Sequence, residues 1–131
     1  MALGFGHREE KMIKSFRELE VWKKAMDFAV HVYEVQRTFP DMERYGLADQ
    51  LRRAVVSIPS NIAEGRGRGS AKDFVRFLFQ AQGSLNEVFT QLELAHRLGY
   101  LPKGTGLYDE ATQIAKMLSA MIKRLRVTTT D

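Results

Sequence analysis

The stretch Gly65-Arg66-Gly67-Arg68-Gly69-Ser70 holds the residue types best suited to chemistry in this chain. Lys72 and Arg76 follow on the first turns of the next helical pattern, so four cations surround a helix N-terminus. Such an end offers free backbone N–H donors and a partial positive charge, which suits an anion such as a phosphate. The spacing G-x-G-x-G is not the G-x-G-x-x-G of dinucleotide folds, and it follows a helix rather than a strand. Lys72 does not directly follow a glycine, so a Walker A loop is rejected as well. Two readings of the link stand. In one, Arg66, Arg68, Lys72 and Arg76 form an anion-binding patch that Arg52 and Arg53 extend. In the other the link is only a turn: Gly65 is the left-handed C′ residue of one helix, and Gly69-Ser70 leads into the N-cap of the next.

The remaining candidates for chemistry are weaker. His7, His31 and His96 lie on different segments and form no helical metal pair, so each is expected at a surface or boundary. Glu93 and His96 stand three apart, but a di-iron bundle needs that motif on two helices plus two further glutamates. No metal and no cofactor is expected. Ser57 and Ser60 lack a G-x-S-x-G context. Serines beside a helix proline more often bond the carbonyls it frees. Asn61 and Glu64, three apart on the same stretch, either reach another helix or face water.

Composition narrows the class. The chain has 131 residues, 44% hydrophobic and 27% charged, which suits one globular domain. No apolar run approaches the ~20 residues of a membrane span. The N-terminal MALGFGHREEKMIK has a charged middle, unlike a secretory signal. Without cysteine there is no disulfide, thiolate metal site or cysteine nucleophile. A cytoplasmic protein is the plain expectation. Net charge is +4, and the segment from Arg44 to Arg76 carries a surplus of four by itself. There Arg44, Arg52, Arg53, Arg66, Arg68, Lys72 and Arg76 outweigh Asp49, Glu64 and Asp73.

Four helical stripes position these residues. Residues 1–15 read as a loose arm, with Ser15 and Glu18 at capping-box spacing. Val21, Ala25, Phe28, Val32, Val35 and Phe39 mark helix one over 17–39, which Pro40 ends. Leu47, Leu51, Ala54, Val55, Ile58 and Ile62 mark helix two, stopped at Gly65. Ser70 and Asp73 have N-cap spacing ahead of Phe74, Leu78, Ala81, Leu85, Val88, Leu92 and Ala95. Leu107, Ala111, Ile114, Leu118, Met121 and Leu125 mark helix four, and the end at 128–131 reads as frayed. With short links and no strand pattern, the economical fold is all-α: an antiparallel up-down-up-down four-helix bundle over 16–127.

Two features exceed a plain bundle. Pro59 inside helix two removes a hydrogen bond to the Val55 carbonyl, so a kink is expected there, with Ser60 or Asn61 compensating nearby. Helix one also carries a second stripe, Trp22, Met26, Ala29 and Tyr33, about 110° around from the first. Val75 and Phe79 widen helix three in the same way. These residues are either a broad core face or a subunit interface.

FRELEVWKKA, SIPSNIAEGRGRGSAKDFVRFL and GSLNEVFTQLELAHRLGYL resemble the four-helix-bundle proteins associated with intervening sequences in 23S ribosomal RNA. The likeness spans roughly 16–125, and the string from Ser57 through Pro59, Ser60, Asn61 and Glu64 to Gly65 is its most specific part. The resemblance implies an up-down bundle, bacterial origin and ring-like homo-oligomers, often pentamers. It also implies a more distant likeness to accessory proteins of diversity-generating retroelements, which bind a reverse transcriptase and nucleic acid through basic surfaces. It brings no catalytic site, because the family has no established enzymatic activity. Two functional classes follow: a basic oligomer that binds nucleic acid, RNA favoured, and a scaffold or accessory subunit for an unknown partner enzyme.

Overall fold

The computed structural model describes residues 16–129. Four α-helices account for most of them: α1 (Glu20–Gln36), α2 (Leu47–Arg66), α3 (Ala71–Arg97) and α4 (Leu107–Thr129). A 3-10 turn at Asp41–Glu43 joins the first two, and no strand occurs among the described residues. Helix α3 has 27 residues, about 40 Å at 1.5 Å rise per residue.

Each helix packs on two neighbours, α1 on α2 and α4, and α3 on α2 and α4, so the four close a ring around one core. The sequence stripes fill it. Phe28, Val32, Leu51, Ile58, Ile62, Leu78, Leu85, Leu92, Ile114 and Leu118 are fully buried. On α4 the stripe departs from the expected register: Ile122 is buried, while Met121 and Leu125 only flank the core. A straight helix at 3.6 residues per turn drifts off a strict heptad, so the last buried step is four residues rather than three.

Polar contacts fix how neighbours meet. The Ser57 and Ser84 hydroxyls join α2 to α3, and Gly65 of α2 lies against Phe74 and Phe77 of α3. Lys24 of α1 donates to Gln113 of α4 at 2.9 Å, and His31 contacts Glu110. Gln82 of α3 donates to Ser119 of α4 at 3.1 Å.

Several helix ends differ from the sequence expectation. Helix α1 begins at Glu20, behind an extended Leu19, and not at 17. Ser15 lies outside the described residues, as does the arm before it. At the other end α1 stops at Gln36, because the Thr38 hydroxyl and the amides of Thr38 and Phe39 close a turn on Val35 and Gln36. Phe39 still reaches the core, from this turn rather than from the helix, and its ring meets Tyr100 at 5.5 Å. Ser70 caps α3 as expected, accepting from the Asp73 amide at 3.1 Å. At the C-terminus the helix continues to Thr129, beyond the expected end of the fourth stripe.

Gly65 is the clearest correction. It does not stop α2 in the left-handed conformation; it lies inside the helix, which runs to Arg66. The positive φ of the link falls on Gly69, at 85°. Gly65 is needed for closeness: a Cβ there would sit 2.6 Å from Cβ of Phe77.

Candidate functional site

The helix continues through Pro59, and the side chains around it bond the helix itself. Ser57 donates to the Ala54 carbonyl, Ser60 to that of Val56, and Asn61 to that of Ser57. These acceptors bracket Val55, whose own carbonyl receives none of the three. Glu64 pairs with Arg68 at 2.8 Å. The Ser57–Gly65 string is therefore occupied with local backbone bonding and with the α2–α3 contact.

The six cations singled out from the sequence divide into two groups. Arg52 is turned inward, donating to Gln36 at 2.6 Å and to the Arg44 carbonyl at 3.0 Å, which ties α2 to the end of α1. Arg53 pairs with Asp49 at 3.0 Å. Both lie thirteen or more residues before Arg66 on the same helix, roughly 20 Å away along its axis. The structure therefore does not bring Arg52 and Arg53 to the glycine–arginine link.

The other four do share one end of the bundle. The guanidinium groups of Arg68 and Arg76 lie 4.9 and 4.7 Å from the centroid of one ring, Phe77. That is cation–π range, and it gathers two positive charges from the link and from α3 onto one platform. Each keeps a carboxylate neighbour, Glu64 at 2.8 Å and Asp73 at 3.6 Å. Lys72 is exposed and Arg66 half-buried, and neither makes an ion pair among the described residues. Gly65 sets this arrangement, since the absence of its side chain lets Phe77 approach α2 and so reach Arg68.

Helix α4 adds cations that the sequence reading missed. Arg126 stands 5.8 Å over the ring of Phe79, and Lys123 lines the same cleft between α3 and α4. The signal was present: between Ala111 and Val127 the chain has Lys116, Lys123, Arg124 and Arg126 and no carboxylate. A count along the sequence concealed it, because outside the segment from Arg44 to Arg76 the acids and bases of the whole chain cancel.

The expected subunit-interface residues also separate. Trp22, Met26, Ala29 and Tyr33 line an open groove of about 620 Å³ between α1 and α2, with Val30, Val56 and Pro59. Met26 and Tyr33 of the second stripe are each 40% exposed, Trp22 is partly buried against the core, and the neighbouring Val30 and Val56 are 56 and 43% exposed, so the stripe runs along the rim of the core. Only Ala29 of that stripe is buried. Val75 is partly buried against the core, and Phe79 is 46% exposed on the α3–α4 side, across the bundle from the groove.

His31 is half-buried against Glu110. Near His96, the hydrogen bond from Arg97 holds Glu93 below its ordinary pKa, while burial and the charge of Glu93 push the Tyr108 phenol up. His7 lies outside the described residues. No group of three or more potential metal ligands occurs among the described residues. No described helix is long and apolar enough to cross a membrane.

A model of the 23S rRNA-intervening sequence protein family matches residues 17–120. The chain belongs to that family. Among solved structures, it is similar to a protein of unknown function from the S23 ribosomal protein family of Bacteroides thetaiotaomicron. The two are 28% identical with a TM-score of 0.73, over 79% of this chain and 98% of the other. A search of curated proteins finds no significant match.

Proposed function

We propose that this member of the family is a homo-oligomeric binding protein that holds nucleic acid, RNA favoured, at the end of the bundle formed by the glycine–arginine link. The observation that carries this reading is the pair of guanidinium groups on Phe77, with Arg66 and Lys72 beside it. Phosphates are met there by cations, and by amides of the first turn of α3 that the Ser70 cap leaves free. One such patch is weak, with non-specific affinity of ~10⁻⁴–10⁻⁶ M at physiological salt. Repetition of the patch in an oligomer strengthens binding, because later contacts form at high effective concentration.

The α1–α2 groove supports self-association. Its exposed apolar side chains are those that water disfavours, and its rim carries one charge of each sign, Glu34 and Arg37. The same groove supports the second reading, a scaffold or accessory subunit, if it receives another protein. The test is binding of RNA and DNA across a salt series, for the wild type and for Arg66→Ala/Arg68→Ala at unchanged oligomeric state. The nucleic-acid reading predicts weaker binding and a shallower salt slope for the variant. Equal affinity and slope would make the link a turn only and give the scaffold reading the lead.

A further inference from the structure

The cleft between α3 and α4 has a volume of about 500 Å³ and is lined by Phe79, Gln82, Ser119, Ile122, Lys123 and Arg126, with Val127 at its end. Its chemistry is mixed in a particular way. The floor is apolar, at Ile122. One wall is an aromatic ring left 46% exposed, with the Arg126 guanidinium above it. The Gln82 amide donates to the Ser119 oxygen at 3.1 Å, so the amide's carbonyl and second N–H, with the Ser119 hydroxyl, bring both acceptors and donors to the cleft. Lys116, Ser119, Lys123 and Arg126 recur at helical spacing along α4, and no carboxylate lies between Phe74 and Asn86 on α3 or between Ala111 and Val127 on α4.

An apolar slot for a second protein would not need a rim of one sign. A flat ring flanked by cations, with hydrogen-bond donors and acceptors beside it, matches a nucleobase between two phosphates. Base-on-aromatic stacking works with any base and needs an unpaired strand, since paired bases keep their faces covered. We propose that this cleft takes one nucleotide of a single-stranded nucleic acid, its base replacing the Arg126 guanidinium over Phe79, its polar edge toward Gln82 and Ser119, and its flanking phosphates on Lys123 and on the displaced Arg126. This rests on the nucleic-acid reading above and names the kind of strand it concerns. It also moves Phe79 from the surface between copies to the ligand. The strand leaves the cleft toward Arg76 and the link, because Phe79 lies one turn along α3 from Arg76.

The experiment titrates the full chain with fluorescently labelled oligouridine, oligothymidine and an RNA duplex of the same length. Wild type is compared with Phe79→Ala, Phe79→Leu and Arg66→Ala/Arg68→Ala, each checked by light scattering and by unfolding. Phe79→Ala should weaken the single strands about 5- to 150-fold and leave the duplex unchanged. Phe79→Leu, which keeps the apolar bulk and loses the ring, should lose most of the same affinity. The arginine pair should weaken all three probes. A preference for oligouridine over oligothymidine would identify RNA as the strand, and equal binding would extend the site to either. If both Phe79 variants bind oligouridine like wild type while the arginine pair does not, the cleft is not the site and the broader reading stands. If wild type binds none of the probes at low salt, the broader reading fails first. A fall in particle mass for Phe79→Leu would place the ring between copies and overturn the proposal.

Discussion

Two glycines inside helices should respond to alanine with opposite signs. Gly83 is in α3 with open space where a Cβ would stand. Gly83→Ala gains helix propensity alone, so it should stabilise by ~0.5–1 kcal/mol. Gly65→Ala gains the same propensity but places its methyl 2.6 Å from the Phe77 Cβ and 3.0 Å from a Phe74 ring carbon. Ordinary contact begins at 3.4 Å, so the first distance is short by about 0.8 Å. A Cβ cannot rotate away as the tip of a lysine can; α2 and α3 must separate. Overpacking of this kind costs ~1–3 kcal/mol, and the net effect should be a loss of up to about 2 kcal/mol. Urea unfolding of the two variants reads the difference directly, provided the m-values match. The same shift would carry Phe77 away from Arg68, so Gly65→Ala should also weaken anion binding, and Gly83→Ala should not. If Gly65→Ala proved as stabilising as Gly83→Ala, the close approach of α2 to α3 would be wrong, and with it the reason for the Arg68–Phe77–Arg76 stack.

Other outcomes follow from the core, the groove and the phenols. Leu85 is 1% exposed, so Leu85→Ala should cost ~2–5 kcal/mol in the same unfolding assay, and a loss under about half a kcal/mol would break the α3 register. Light scattering of wild type should give a mass several times 15.0 kDa, and Val30→Glu, 56% exposed in the α1–α2 groove, should lower it without unfolding the chain. A wild-type monomer at high micromolar concentration would contradict this. Tyr100 donates to Glu43 at 2.9 Å and its pKa is raised, first by that bond and then by burial. The phenol should therefore ionise above the ordinary value of about 10, and its stabilising contribution should be full below that pH and fade as pH rises through the raised pKa. Ultraviolet titration of wild type against Tyr100→Phe would show it, and loss of an early rather than a late component would refute it.

The bundle was legible because apolar spacing along a helix reports directly on burial. The α3 stripe from Phe74 to Ala95 is buried at every step. Helix ends were less legible, since they depend on bonds that spacing does not encode, such as the Thr38 hydroxyl closing α1 early. Gly65 was misread for a related reason. Glycine serves both left-handed caps and close packing, and only the position of Phe77 across the interface distinguishes them. The candidate site was half legible. Arg68 and Arg76 were named from the link, but that they share one aromatic ring follows from the fold. Arg52 was included by sequence proximity, while in space it serves Gln36 and the end of α1. Lys123 and Arg126 were passed over because they are far away in sequence, and α4 returns them to the start of α3.

The central claim is that the link end of the bundle binds nucleic acid through its charge. The most direct measurement is the affinity of the wild-type protein for a labelled RNA as salt is raised from low to physiological. The account predicts binding at low salt and a linear fall of log affinity with log salt, the slope giving roughly one neutralised phosphate per 0.7–0.9 units. Absence of binding at low salt, or binding that salt does not weaken, would contradict it.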